Sequence, residues 1–214
     1  MVTGALMSII PALICITFHE LSHGFIAWRL GDNTAKDLGR LTLNPIKHID
    51  IFGLIMMALF KFGWAKPVPV NMMNFKHPKR YMAVTALAGP VSNILLAIVV
   101  MLIYGLVVTP LSTDPSSMTA GTITMIMLYN TAYISVALAV FNFLPIPPLD
   151  GSKVLFSLVS DNLYYKLMRY ERFGMILLII IITTNVFGDT IGRATATLFG
   201  KLAFFANASY KLVN

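Results

Sequence analysis

The sequence has little charge and almost no cysteine. Only 12% of its 214 residues are charged, 57% are hydrophobic, and the mean hydropathy is +0.77. An ordinary soluble domain is about one quarter charged, so this composition excludes both a water-soluble globular domain and a disordered chain. The single cysteine, Cys15, cannot close an intrachain disulfide, which excludes a disulfide-stabilised scaffold. What remains is a compact integral membrane protein.

Acidic residues are also scarce, with nine Asp and Glu against 16 Lys and Arg and a net charge of +7. Nine of the basic residues lie between positions 29 and 80 and four more between 153 and 172, whereas 81–149 contains one charge, Asp114. This clustering follows the positive-inside rule of membrane proteins and differs from the basic stripe of a nucleic-acid-binding surface. We therefore expect a lipid bilayer and no nucleic acid as partner, with both basic segments on the cytoplasmic side.

Long uncharged runs predict the membrane spans, because a helix needs about 20 apolar residues to cross the hydrocarbon core. The predicted fold is an all-α polytopic membrane protein with about four transmembrane helices in a single domain, 1–214. Its three core helices are expected at about 1–28, 81–109 and 121–144, with an additional helix at about 173–190. The first run lacks the basic start and the cleavage pattern of a signal peptide, so we expect it to be a structural helix.

Two further segments are apolar but lack the pattern of a transmembrane helix. The uncharged run 51–60 is too short to cross, which predicts a re-entrant or interfacial segment. Its continuation to 71 ends in PVPVN (67–71), whose composition suits either an edge strand that pairs with an extended peptide or an inert connection. The stretch 191–214 mixes basic and apolar residues and predicts an interfacial amphipathic helix.

The first span contains the sequence His19-Glu20-Leu21-Ser22-His23, a match to H-E-x-x-H. Residues four apart share one face of a helix, so both imidazoles can bind one Zn²⁺ while Glu20 holds a water. The alternative is a hydrogen-bonded polar cluster in a helix bundle. It is disfavoured because Glu20 is the only acidic residue among the first 31, and an unpaired carboxylate within an apolar span is costly.

A catalytic zinc usually has three protein ligands, so a third must come from elsewhere in the chain. Asp150 stands out, because it follows the third span in the stretch NFLPIPPLDG (142–151). Its prolines break the helix, and irregular backbone at membrane depth is tolerated where it lines a cavity. The alternatives are a helix N-cap role for Asp150 and a ligand role for Cys15, which lies one turn before His19. His48 and His77 lie in basic segments and are expected to be interfacial or surface residues.

HELSH within an apolar helix, together with LPIPPLDG (144–151), resembles the site-2 protease family of intramembrane zinc metalloproteases. GRLTLNP (39–45), KHID (47–50), GWAKPVPVN (63–71) and AGPVSN (88–93) resemble connecting motifs of the compact prokaryotic members. The resemblance implies a three-helix catalytic core with His19, His23 and Asp150 on zinc and hydrolysis of peptide bonds within membrane-embedded substrate helices. We expect neither the PDZ insertion nor the CBS domain that some members carry.

Glu20 is expected to act as the general base, taking a proton from the attacking water and passing it to the leaving amine. Asn93 and Asn142 occur where the family carries asparagines near its active site. They are candidates for binding the oxyanion or the substrate backbone, with interhelical hydrogen bonding as an equal alternative.

Two other functions compete with this interpretation. A different membrane zincin would need a glutamate as third ligand, and Glu171 is the only other glutamate in the chain. A non-proteolytic metal-binding or transport protein would need polar residues along a pathway, which the long spans almost lack. The sequence predicts an active site toward the cytoplasmic side of a prokaryotic cell membrane and leaves substrate, regulator and oligomeric state open.

Overall fold

A computed structural model describes residues 2–53, 64–111, 119–184 and 186–212. Within these ranges the regular structure is helical, and the extended backbone forms one isolated antiparallel bridge, between Ile49 and Ala65, and no sheet. The prediction of an all-α membrane protein is confirmed. Most of the short segment predicted at 51–60 lies outside the described residues.

Three long helices are apolar enough to span a membrane: α1 (Val2–Arg29), α3 (Pro78–Leu111) and α4 (Ala120–Asn142). They fall on the three predicted core runs. A short helix α2 (Thr34–Asp37) follows α1, and 3₁₀ turns occupy Pro45–His48 and Met72–Asn74. The exposed side chains of α3 are apolar over most of its length, at Val84, Val91, Leu95, Val99 and Ile103. Spacings of four and seven place them on one face, as expected for a helix surface that contacts lipid.

The remaining helices are α5 (Asp150–Phe156), α6 (Asp161–Tyr170), α7 (Gly174–Thr184) and α8 (Gly188–Tyr210). The helix predicted at about 173–190 is therefore divided, since α7 ends at Thr184 and α8 begins at Gly188. Helices α7 and α8 satisfy the length and hydropathy criteria for a span only when taken together, so the described part of the chain contains three candidate spans, or four if this pair is one span.

Contacts divide the chain into two compact units. The first comprises residues 1–15, 93–141 and 184–214. Its core is formed by small and apolar side chains of α3, α4 and α8: Ala97, Val100, Met101, Ala132, Val136, Phe199, Leu202 and Ala206. The buried residues of α8 recur every three or four positions, at Thr195, Phe199, Leu202, Ala206 and Ser209, so this helix is amphipathic, as predicted, and packs on the core by its buried face.

Gly105 permits a close contact between α3 and α8 in the first unit. A Cβ at this position would lie 2.1 Å from the carbonyl oxygen of Ala206 on α8, a distance that no side chain allows. The same unit contains Cys15, whose buried thiol donates to the carbonyl of Thr131 at 3.3 Å. Cys15 thus serves as a packed residue with a backbone partner.

The second unit comprises residues 16–92 and 142–183 and contains the C-terminal half of α1, the start of α3 and the chain from α5 to α7. Its loops are held by buried polar groups. His48, expected to be an interfacial or surface residue, is 1% exposed, and its Nε2 lies 2.9 Å from the carbonyl of Thr42. A surface position for His48 is therefore wrong, and the hydrogen bond to the Thr42 carbonyl offsets part of the cost of burying the imidazole.

Candidate metal centre

His19 and His23 lie one turn apart on α1, and their Nε2 atoms are 3.0 Å from each other. Asp150 Oδ2 is 3.1 Å from both of these nitrogens. All three residues are buried, and their potential ligand atoms lie within 4.8 Å of one another. The structure therefore brings together the three residues that the sequence singled out as zinc ligands, across a separation of 131 residues between His19 and Asp150.

Asp150 reaches the histidines because the chain turns sharply between α4 and α5. Helix α4 ends at Asn142, and α5 begins at Asp150 with Leu149 at its N-cap position. The predicted alternative, an N-cap role for Asp150, is therefore wrong: its carboxylate faces the two imidazoles instead. Gly151 is needed next, because a Cβ there would lie 2.3 Å from the carbonyl oxygen of Phe143.

The orientation of His23 is fixed by a hydrogen bond from its other ring nitrogen. His23 Nδ1 lies 2.7 Å from the carbonyl oxygen of Thr85 on α3, where a ring N–H can donate. With the proton on Nδ1, the Nε2 lone pair faces the cluster, which is the arrangement that metal-binding histidines use. Two imidazole nitrogens and one carboxylate oxygen form the donor set of hydrolytic zinc enzymes, so the residues present fit this metal.

Glu20 lies beside the cluster and is not one of the three grouped side chains. Its Oε2 accepts a hydrogen bond of 2.7 Å from the backbone N–H of Val68. Both residues line a cavity of about 290 Å³ together with His19, His23 and Asp150. The acidic residue of H-E-x-x-H therefore faces the same space as the potential ligands and is held by the backbone of the 67–71 segment.

Lys153 places a positive charge on the outer side of the aspartate. Its Nζ is 3.9 Å from Asp150 Oδ1 and 3.3 Å from Glu171 Oε1. Glu171, the alternative third ligand, thus pairs with Lys153, while Asp150 faces the histidines.

The two asparagines occupy different positions. Asn142, the last residue of α4, lines the cavity that His19, His23 and Asp150 also line. Asn93 belongs to the other unit, where it is completely buried and its backbone carbonyl accepts a hydrogen bond from Ser135 Oγ at 2.8 Å. Sequence reasoning did not identify Thr85, Lys153 or the contact of Val68 with Glu20, because single backbone groups and one lysine in a short helix carry no motif of their own.

Gly89 on α3 leaves the space that the two imidazoles fill. A Cβ at this position would lie 2.4 Å from His23 Nε2 and 2.6 Å from His19 Cε1. We expect Gly89→Ala to displace both rings and to reduce the zinc content of the purified protein well below the wild-type value. Metal analysis of protein purified in detergent measures this.

Gly200 on α8 provides the matched control, because a Cβ there meets nothing within 4 Å. Gly200→Ala should keep the wild-type zinc content, since it adds the same methyl group in open space and favours the helix. Wild-type zinc in Gly89→Ala would show that the imidazoles do not depend on this close approach.

The comparison with known families gives a match to peptidase family M50 over residues 107–184, a range that includes Asp150 and lies outside the histidine pair. No solved structure matches the chain. The family evidence thus comes from sequence relatives.

Several relatives align over most of the chain. “Putative zinc metalloprotease YwhC” of Bacillus subtilis (strain 168) is 38% identical over 184 residues, covering 82% of this chain and 80% of that protein. “Putative zinc metalloprotease Rip2” of Mycolicibacterium smegmatis is 29% identical over 176 residues, covering 80% of this chain and 64% of that protein. The Mycobacterium tuberculosis H37Rv protein of the same name is 28% identical over 175 residues, covering 79% and 63%. On this evidence the chain belongs to peptidase family M50, the site-2 proteases, and is an intramembrane zinc metalloprotease.

Proposed function

We propose that the protein hydrolyses peptide bonds in or near the transmembrane helices of membrane-protein substrates, with zinc held by His19, His23 and Asp150 and with Glu20 as general base. The observation that carries this proposal is the convergence of the three potential ligands and Glu20 on one cavity. Since three of these four residues lie on a spanning helix, the substrate bond must also be presented at the membrane.

Zinc bound at this site would polarise the scissile carbonyl and lower the pKa of a water to about 7. Glu20 holds that water and takes its proton as the carbonyl is attacked, then passes the proton to the departing amine. The hydrogen bond from Val68 N–H to Oε2 fixes the orientation of this carboxylate. Glu20 therefore enters the reaction in a fixed orientation.

Asn142 is proposed to bind the substrate backbone or the developing oxyanion, because it lines the cavity that contains the cluster. Lys153 lines the same cavity, and its ammonium group holds Asp150 from the side opposite the imidazoles. The role suggested for Asn93 remains a prediction from the sequence.

A substrate helix must unwind before water reaches its peptide bond, so the enzyme has to offer other backbone partners. Segment 67–71 belongs to no sheet within the described residues, and Pro67, Val68 and Val70 line the cavity. We propose that an extended substrate pairs with the backbone of this segment. The basic segments flanking the site support an orientation with the active site toward the cytoplasm.

Dependence on the metal tests the proposed activity. The purified protein, reconstituted in liposomes with single-span reporters whose spans contain Gly or Pro, should cut a reporter within or near its span. A chelator should abolish cleavage, because the carbonyl then loses its polarising group, and added Zn²⁺ should restore it. Mass spectrometry of the fragments locates the cut. Cleavage that continues in the chelated protein, or that falls far from the membrane, would refute the proposal.

A further inference from the structure

Asp32 carries a completely buried carboxylate just beyond the end of α1. The helix ends in a Schellman motif, in which Asp32 N–H donates to Ala27 and Gly31 N–H to Trp28. Gly31 has φ 108°, a conformation that favours glycine. This turn fixes the direction in which the chain leaves α1, so Asp32 is placed at a defined distance from the metal-binding part of that helix.

Four hydrogen-bond donors surround the Asp32 carboxylate. Oδ1 accepts from Thr34 N–H at 3.1 Å, Thr34 Oγ1 at 2.5 Å and Asn74 Nδ2 at 2.7 Å, and Oδ2 accepts from Asn71 N–H at 2.7 Å. Burial raises the pKa of this carboxyl, but the hydrogen bonds from Thr34, Asn74 and Asn71 outweigh it and lower the pKa. The group is therefore an ionised acceptor at neutral pH, and two of its donors come from a distant segment of the chain.

Asn71 is the last residue of the segment that supplies the hydrogen bond to Glu20. Val68 lies only three residues before it, and three extended residues span about 10 Å. Pro69, which lies between them, fixes one of the intervening φ angles. We therefore expect a shift of Asn71 to be transmitted to the Val68 N–H, which is 2.7 Å from Glu20 Oε2.

The other end of the segment is held as well. Lys66 N–H donates to the carbonyl of His48 at 3.0 Å, and the Lys66 carbonyl accepts from Arg40 Nη2 at 2.9 Å. Both ends of the segment are therefore held, and between them the buried Val68 side chain packs at Gly24 on α1. The Asp32 anchor is the one that connects the segment directly to the end of α1, the helix that carries His19, Glu20 and His23.

We propose that Asp32 is a positioning residue for peptide hydrolysis: it holds segment 67–71 against α1 so that Val68 N–H fixes the Glu20 carboxylate. This rests on the proposed function, because it assigns the effect of Asp32 to the orientation of the general base. Asparagine cannot replace the carboxylate, since its NH₂ group would face one of the four donors.

Hydrogen exchange of the whole protein in detergent tests the positioning without any substrate. In Asp32→Asn, the amides of Val68 and Asn71 should exchange at least about tenfold faster than in the wild type, while the zinc content stays at the wild-type value. Unchanged exchange at Val68 would overturn the proposal. Loss of zinc together with faster exchange over the whole unit would also overturn it, since Asp32 would then be a general stability residue.

Kinetics test whether the effect passes through Val68. Asp32→Asn should lower kcat about 100-fold, the cost of misplacing a reacting group by about 1 Å, with a smaller change in KM. In a Val68→Pro background, which lacks the N–H, Asp32→Asn should cause little further loss of kcat. An equal loss in both backgrounds would overturn the proposal, because the two residues would then act independently.

Two control variants separate this role from packing. Val68→Ala keeps the N–H and should keep the sensitivity to Asp32→Asn. Thr34→Val removes one donor to Asp32 but leaves the contact with Asn71, so its kcat should stay within about threefold of the wild type. If Glu20→Gln remained active, the proposed function itself would fail, whereas additive effects of Asp32 and Val68 with an essential Glu20 would refute only the role of Asp32.

Discussion

Replacing Glu20 by glutamine is expected to lower the rate of peptide hydrolysis by about 10³-fold to 10⁴-fold while the zinc content stays at the wild-type value. Glutamine has nearly the same shape and its carbonyl oxygen can still accept the hydrogen bond from Val68, but it cannot take a proton from water. Loss of a general base typically costs a factor in this range. Single-turnover cleavage of a reporter in liposomes, with metal analysis of the same preparation, measures both quantities.

Glu171→Gln is the matched control, because it makes the same chemical change in the only other glutamate of the chain. Glu171 pairs with Lys153 at 3.3 Å and lies outside the group of three potential ligands. We expect this variant to keep its zinc and most of its activity. If Glu20→Gln cut the reporter at a rate close to that of the wild type, proton transfer by Glu20 would be refuted.

The sequence predicts those site residues whose positions follow from a helix or from the end of a helix. His19 and His23 are four residues apart in a helix, so their proximity follows from helix geometry alone. The prolines before Asp150 predict a break in the helix. Asp150 follows that break, and within the described residues it is the acidic residue grouped with the two histidines. Both signals are local patterns of residue type and spacing.

The contacts made by loops could not be predicted in the same way. Val68 lies 48 residues from Glu20 and contributes a backbone N–H, a group that every residue except proline possesses. The burial of His48 similarly depends on a carbonyl in a loop without periodicity. Gly89 leaves room for the imidazoles because it has no side chain, and this close approach is seen only in the folded structure.

The helices show a comparable division. Uncharged runs predicted α1, α3 and α4 to within a few residues of their observed ends, because apolar length is the property that the membrane requires. The same rule predicted a single helix at about 173–190, where the structure has α7 and the start of α8, because the length of an apolar run does not indicate a break between two helices. The buried face of α8 packs against small residues of other helices, such as Gly105, so the sequence of α8 alone does not indicate its partners.

The third ligand links the two halves of the proposed metal site, so Asp150→Ala should have the largest effect on metal binding. Removing the carboxylate leaves two imidazoles, which is fewer than the three protein ligands that a catalytic zinc uses. Changes to groups that merely orient ligands already cost about 10-fold to 100-fold in metal affinity, so loss of a ligand should cost more than about 100-fold. Asp150→Asn, which keeps the shape but not the charge, should show a loss in the same direction.

The most direct test of the account is the amount of zinc per chain in the wild type, Asp150→Ala and Glu171→Gln, purified in detergent under the same conditions. We predict about one zinc per chain in the wild type and in Glu171→Gln, with a sharp loss in Asp150→Ala, as expected for a site of two histidines and one aspartate. Full retention of zinc in Asp150→Ala, or its loss in Glu171→Gln alone, would contradict the account.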